Sequence, residues 1–250
     1  MSSRIEKCNA FALRITNYSN TSQIINFFSD KFGHIDVIAK GSRSSKSKQQ
    51  GLLQPMSNYE IIIYKKENSL SLLKEISLIE SNLELFTELE KSAATYAAGE
   101  IYLQLMFEKN DYEKFYNLLQ KYLSYLKKIR QNHILIFWRF LLRVLIFLGF
   151  PMNLEKCAIC DETNHKKIYG ISFSKNGLIC KNCIQKNGSS NKFKCTKSGL
   201  EILFSLKNIS AKIDSIKISK SAKKEINEIF KTYLTYHFHK NIYLKSFDIL

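Results

Sequence analysis

Acidic residues are scarce in this chain. Its 250 residues hold 22 Asp and Glu against 38 Lys and Arg, a formal net charge of +16. A basic excess of that size favours a polyanionic partner, either nucleic acid or an anionic membrane surface. Lys, Ile and Asn are common throughout, and such a bias raises charge without any binding role, so distribution says more than the total. Residues 1–80 carry a net +4, residues 81–155 a net +1, residues 156–224 a net +11, and residues 225–250 balance. Long apolar runs are missing too. The stretch ILIFWRFLLRVLIFLG at 134–149 is shorter than the roughly twenty residues of a membrane helix, and Arg139 and Arg143 interrupt it. It reads as the central helix of a packed helical domain. The start of the chain is polar and has no apolar segment of the secretory kind, so export is not expected.

Catalytic signatures are also absent. There is no GxxxxGK[ST] phosphate loop, no GxGxxG after a strand and no HExxH. A zinc deaminase needs His-x-Glu upstream of Pro-Cys-x-x-Cys; no His-x-Glu exists, and Pro151 lies too far from Cys157. His237 and His239 are two apart on an expected helix and so point to different faces. No active site is expected, and the chain reads as a non-enzyme.

What is present is a pair of cysteine knuckles. Cys157 and Cys160 form one C-x-x-C, and Cys180 and Cys183 form a second after nineteen residues. Each turn can place two thiolates on one side of a tetrahedral ion, and the intervening hairpin brings the second pair back to close the shell. Four thiolates leave no open position, so one structural Zn2+ is expected. Two disulfides would need an oxidising compartment, and a thioredoxin-like motif would need a single C-x-x-C in a βαβ setting. An iron–sulfur cluster is the other metal reading; four cysteines paired this way hold zinc more often. His165, between the knuckles, is a spare donor that a shell of four cysteines does not need. Cys8 and Cys195 have no partner at ligand spacing and read as ordinary thiols.

Before the knuckles the pattern changes once. Up to about residue 80, short runs rich in β-branched and aromatic residues alternate with turn signals: 11–18, 23–28, 34–41, 58–65 and 70–81. Ile35, Val37 and Ala39 alternate with His34, Asp36 and Lys40, the period of a half-buried strand. Five such strands in about 80 residues have the size of an OB-fold, a small antiparallel barrel whose face binds oligonucleotides. From residue 83 the period is helical. Leu85, Leu89, Ala93, Ala97, Ile101 and Leu105 make one stripe over 83–108, and Phe115, Leu119, Tyr122 and Leu126 a second over 112–129. After the knuckles, helices are expected over 198–209, capped by Ser198, and from Ser219 or Ser221 to Tyr243. The segment 186–194 reads as a flexible loop.

Two surfaces follow. Lys40, Arg43, Lys46 and Lys48 crowd a polar loop at the edge of the expected barrel, where they can contact phosphates, with rings such as Tyr59 or Phe28 stacking on bases; a solvated loop in a Lys-rich chain is the plainer reading. Arg139 and Arg143 are four apart and share a helix face. They either pair internally, with acids such as Glu100, or rim a pocket for an acidic peptide ending in a hydrophobic residue.

Four pieces in order carry a family likeness. They are ALRITNYSNTSQIINFFSDKFGHIDVIAKGSRSSKSKQQGLLQP, FLGFPMNLEKCAIC, NGLICKNC and YLTYHFHKNIYLKSFDIL with its Leu244-Lys245-Ser246. Together they resemble the bacterial RecO proteins, recombination mediators of DNA repair, over nearly the whole length. The chain departs from the family's pattern at Ser19-Asn20, often acidic there, and at Asn176-Gly177 in place of Gly-Gly; neither touches a metal ligand. The resemblance implies an α+β multidomain protein, with an N-terminal OB-fold at 1–80 and an α-helical domain at 81–250 carrying a zinc-binding insertion at about 154–196. It implies binding of single- and double-stranded DNA, annealing of complementary strands, and cooperation with RecR in loading RecA onto DNA coated by single-stranded DNA-binding protein. It also implies docking of that protein's acidic C-terminal tail at Arg139 and Arg143, and a cytoplasmic, nucleoid-associated location. A zinc-ribbon scaffold for RNA or a ribosomal partner would share the charge and the knuckles.

Overall fold

Strand β1 is long enough to serve two neighbours. In the computed structural model, which describes residues 4–45, 47, 51–66, 69–186, 191–206, 213 and 216–250, β1 runs Arg4–Asn17. Its first half pairs antiparallel with β4 (Asn58–Lys65), Arg4 opposite Lys65. Its second half pairs with β2 (Gln23–Ser29), Thr16 opposite Ile24. A bulge between Ala12 and Arg14 bends the strand between the two. Strand β3 (Gly33–Ala39) follows β2 through a three-residue turn in which the Ser29 hydroxyl accepts from the Phe32 N–H at 2.8 Å. Strand β5 (Ser71–Glu80) pairs antiparallel with β4 and parallel with β3, Ile38 opposite Leu72. The result is a closed barrel in the order β1-β2-β3-β5-β4. This is an OB-fold. One seam is parallel, where the sequence pattern pointed to an antiparallel barrel, because the long link between β3 and β4 lets β5 arrive beside β3.

Small side chains make the closure possible. Ala10 and Ala12 of β1 and Ala39 of β3 point inward with Ile25, Val37 and Ile61, all fully buried. Tyr59 and Phe28 are buried completely as well. The Tyr59 hydroxyl accepts from the Gln54 N–H at 2.6 Å and donates to the Leu52 carbonyl at 2.9 Å. Neither ring can stack on a base, contrary to expectation: alternation in β4 turns Tyr59 into the barrel, and Phe28 packs edge-on against Tyr102.

Helix α1 is shorter than its stripe. A 3-10 turn at Leu83–Phe86 precedes it, and α1 covers Leu89–Gln104. Leu89, expected inside, is 71% exposed because it starts the helix after an extended Glu88, out of phase with Leu85. Ala93, Ala97 and Ile101 are buried as expected. Helix α2 (Tyr112–Lys128) buries Phe115, Leu119, Tyr122 and Leu126. The described residues fall into two compact units, 1–128 with 244–249, and 129–243 with 250. In the first unit the C-terminal turn is held by Glu100, whose carboxylate accepts from the Ser246 N–H at 3.2 Å and from its hydroxyl at 3.1 Å.

The second unit is built on α3 (His133–Phe147), of which ten residues are buried. Trp138 is wholly enclosed, and its indole N–H donates to Asn227 Oδ1 at 2.9 Å. Asn227 lies on α6 (Lys220–Phe238), which starts at Ser219 as N-cap and ends at a left-handed His239, short of Tyr243. Helix α5 (Lys197–Ser205) is capped by Thr196 rather than Ser198; the Thr196 hydroxyl accepts from the Gly199 N–H at 3.1 Å. Between α3 and α5 stands a three-stranded sheet in the order β7-β6-β8, formed by Ile168–Ser172 (β6), Gly177–Cys180 (β7) and Lys192–Lys194 (β8), with the short α4 at Lys181–Lys186. Part of the segment read as a loop is therefore a strand. Gly170 makes the room, since a Cβ there would collide with the Phe193 carbonyl oxygen.

Among the glycines of the barrel, Gly33 has the narrowest tolerance. Its φ is +61°, and a Cβ would meet the Tyr112 ring at 2.5 Å. Gly33→Ala is expected to lose on the order of 2 kcal/mol, read as a lower urea midpoint with an unchanged slope; an unshifted midpoint would show that the turn relaxes freely.

Candidate metal centre and nucleic-acid surfaces

The first knuckle is a tight loop held by backbone hydrogen bonds. The Asp161 N–H donates to the Cys157 carbonyl at 3.0 Å, and the Cys157 N–H to the Glu162 carbonyl at 2.9 Å. Asp161 takes a left-handed φ of 58° to complete the loop. The Ala158 N–H then donates to the Leu178 carbonyl at 2.8 Å, fastening this loop beside β7. The second knuckle spans the end of β7, at Cys180, and the first turn of α4, at Cys183. Gly177 lets the chain before the first knuckle approach, since a Cβ there would meet the Asn153 carbonyl oxygen at 2.6 Å.

These contacts bring the four sulfurs within 4.8 Å of one another. Cys160 Sγ and Cys180 Sγ are 3.7 Å apart. Zinc–sulfur bonds of about 2.3 Å at tetrahedral angles separate sulfurs by roughly 3.8 Å, so the donor set fits a tetrahedral ion. Cys157, Cys180 and Cys183 are buried and Cys160 is exposed. His165 stands outside the group; its ring stacks on Phe204 with centroids 3.8 Å apart. The thiols are unequal. Burial raises Cys157, but N–H donors from Cys160, Cys180 and Ile159 outweigh it and bring its pKa down to about 7. Burial and the neighbouring sulfurs push Cys183 up to about 12. Deprotonating Cys183 thus meets the charge of a Cys157 thiolate. A divalent cation removes that repulsion. By contrast, burial leaves the solitary thiols of Cys8 and Cys195 up at about 12, as inert core residues.

On the barrel, Lys40 and Arg43 are exposed. Arg43 is fastened to the β1–β2 turn: its backbone N–H donates to the Thr21 carbonyl at 2.9 Å and its guanidinium to the Ser19 carbonyl at 3.1 Å. Lys46 and Lys48 lie outside the described residues. In place of Tyr59 and Phe28, the barrel offers outward residues that sequence reasoning passed over. Ile24, Ile38, Leu72 and Tyr64 occupy one cross-strand row on its outer side, each half-buried, and Tyr18 in the neighbouring turn is 63% exposed. The signal was available: Ile24 and Ile38 are apolar at positions where a half-buried strand would carry polar residues. This row includes strands β2 and β3, the side on which OB-folds take oligonucleotides.

Arg139 is half-buried and Arg143 exposed on α3. With Leu142, Ile146, Met152 and Leu206 they line a groove of about 520 Å³. Neither has an ion pair among the described residues, and Glu100, the acid considered as their partner, is held by Ser246. The groove thus joins two cations to a largely apolar floor, with Asn153 and the acidic Glu155 also on its wall.

Family comparison agrees with this layout at both ends. The model "Recombination protein O N terminal" matches residues 1–82, and "Recombination protein O C terminal" matches residues 87–246. The chain belongs to the RecO family. Three relatives, each named DNA repair protein RecO, illustrate the likeness. That of Clostridium novyi is 26% identical over 94% of this chain and 90% of its own. That of Thermoanaerobacter sp. is 26% identical over 98% and 97%. That of Chloroherpeton thalassium is 30% identical over 65% of this chain and 63% of its own length. RecO membership supports a role in DNA repair and recombination. Among the described residues no helix is long and apolar enough to cross a membrane.

Cys157→Ser is expected to lose the bound ion, and metal retention is expected to fall as pH is lowered, because each ligand must give up a proton to bind. Metal analysis after dialysis, with X-ray absorption reporting four sulfur neighbours in the parent chain, checks both; full metal content in the variant would remove Cys157 from the ligand set.

Proposed function

We propose that this RecO-family chain is a non-enzymatic recombination mediator. It binds single- and double-stranded DNA, anneals complementary strands and, with RecR, helps load RecA onto DNA coated by single-stranded DNA-binding protein. The observation that carries the reading is the closed OB barrel with a half-exposed apolar and aromatic row beside Lys40 and Arg43. Aromatic rings such as Tyr18 and Tyr64 give bases a sequence-tolerant platform, and the cations neutralise phosphates. In this reading Lys46 and Lys48 extend the same basic loop, and the OB-fold domain at 1–80 is the DNA-binding part. The helical domain at 81–250 carries one structural Zn2+ in its insertion at about 154–196. The chain works in the cytoplasm, at the nucleoid.

The groove at Arg139 and Arg143 suits the acidic C-terminal tail of single-stranded DNA-binding protein. A terminal carboxylate and neighbouring acids would meet the guanidinium groups while a hydrophobic end residue lies on Leu142 and Ile146. Arg139, half-buried, is the better desolvated of the two, so it contributes more.

Two measurements follow. Log affinity for an unstructured single-stranded oligonucleotide should fall with log salt, and changing Lys40, Arg43, Lys46 and Lys48 to Ala together should flatten that slope by up to ~2.8, ~0.7 for each phosphate no longer neutralised. An unchanged slope moves the DNA site elsewhere, and tighter binding of RNA than of DNA would favour a zinc-ribbon RNA scaffold. Separately, Arg139→Ala should weaken binding of an acidic tail peptide by roughly 10-fold or more, the size of a lost charge-assisted hydrogen bond, with Arg143→Ala weaker in effect; fluorescence polarisation with the labelled peptide decides, and parent-like affinity in both variants contradicts the assignment.

A further inference from the structure

The net charge of +11 in residues 156–224 is not absorbed by the barrel or by the α3 groove. Strand register shows where part of it gathers. Ile168 pairs with Cys180, Gly170 pairs with Lys194, and the Cys195 N–H donates to the Tyr169 carbonyl at 3.0 Å. The start of β6, the end of β7 and the end of β8 therefore share one end of the sheet. Lys166, Lys181 and Lys194 stand within two residues of these positions, and all three are exposed.

The acids of the first knuckle are already engaged. Glu162 is bound to Lys167 at 2.8 Å and Asp161 to Lys156 at 2.6 Å. Glu225 accepts from the Thr196 N–H at 2.6 Å. Lys166, Lys181 and Lys194 have no carboxylate partner among the described residues. Tyr169, half-buried on β6, is at the same end of the sheet, and the Lys194 ammonium sits over its ring, 5.0 Å from the centroid. A ring and three ammonium groups without carboxylate partners, one of them already over the ring, are what a single-stranded polynucleotide needs, a face for a base and charges for the phosphates around it.

We propose that this end of the β7-β6-β8 sheet is a second binding surface for single-stranded DNA, with Tyr169 stacking on a base and Lys166, Lys181 and Lys194 holding phosphates. The proposal rests on the DNA-binding reading of the chain and adds a site to it. A metal at the four sulfurs would have a second consequence: by fixing Cys180 opposite Ile168, it would hold Lys181, the next residue, at this end of the sheet. The competing role for these lysines is to offset the negative charge of four metal-bound thiolates, and the two roles separate experimentally.

The test uses the full-length, metal-loaded chain and a labelled oligothymidylate. Changing Lys166, Lys181 and Lys194 to Ala together should reduce the salt slope by about 2 while metal content stays at that of the parent. Tyr169→Ala should weaken binding roughly tenfold and Tyr169→Phe should not. An unchanged slope in the triple variant, or loss of metal without loss of slope, overturns the proposal. So does loss of binding to anionic lipid vesicles in place of DNA. If the parent chain does not bind the oligonucleotide at all, the DNA-binding reading itself fails; if it binds and only the barrel variant changes, that reading stands and the second surface does not.

Discussion

Four sulfurs must meet within a few ångströms, and the chain around them is laid out to allow it. The first knuckle depends on a left-handed Asp161 and on the Ala158 bond to Leu178. The second depends on β7 ending at Cys180 and turning at once into α4. Between them, Gly170 lets β8 pair with β6, and Gly177 lets Asn153, ahead of the first knuckle, approach β7. The strands they join bury Ile168, Ile171, Leu178 and Ile179. The three short strands they join would be marginal alone. Structural zinc in small domains contributes about 10–16 kcal/mol, comparable to the whole stability of an ordinary domain. An ion held by the four sulfurs would be a contribution of that size to this module, and the helices around Trp138 and the barrel have apolar cores of their own.

The barrel solves a different problem, that of exposed strand edges. A long, bulged β1 reaches both β2 and β4, and the parallel contact of β3 with β5 closes the remaining gap. Inward positions are filled by small and β-branched residues together with Phe27, Tyr59 and Leu73, and outward positions are free to vary. Several are apolar or aromatic. A closed sheet presenting such a row, with cations at its edge, is suited to sequence-tolerant contact with a strand of bases and phosphates.

Much of this was legible from residues alone. The five strands, the two stripes ending at Leu105 and Leu126, and the cysteine spacing follow from periodicity and from ligand chemistry, which are local properties. What was missed is non-local. The part of β1 before Phe11 alternates weakly, since Glu6 and Lys7 are held in the strand by their pairing with β4. The burial of Tyr59 and Phe28 depends on which face closes, and no single strand records that. Thr196 caps α5 in place of Ser198 because Glu225, 29 residues away, accepts its N–H. Strand β8 was hidden for the same reason: its pairing is made possible by the absence of a side chain at Gly170.

In the proposed function, activity is spread over surfaces and no pocket performs chemistry. The direct test is the rate at which two complementary oligonucleotides, each coated with single-stranded DNA-binding protein, become duplex in the presence of this chain. The account predicts faster annealing without any nucleotide cofactor, and a loss of that acceleration when the coating protein lacks its acidic tail. Annealing at the uncatalysed rate with the intact coating protein would contradict it.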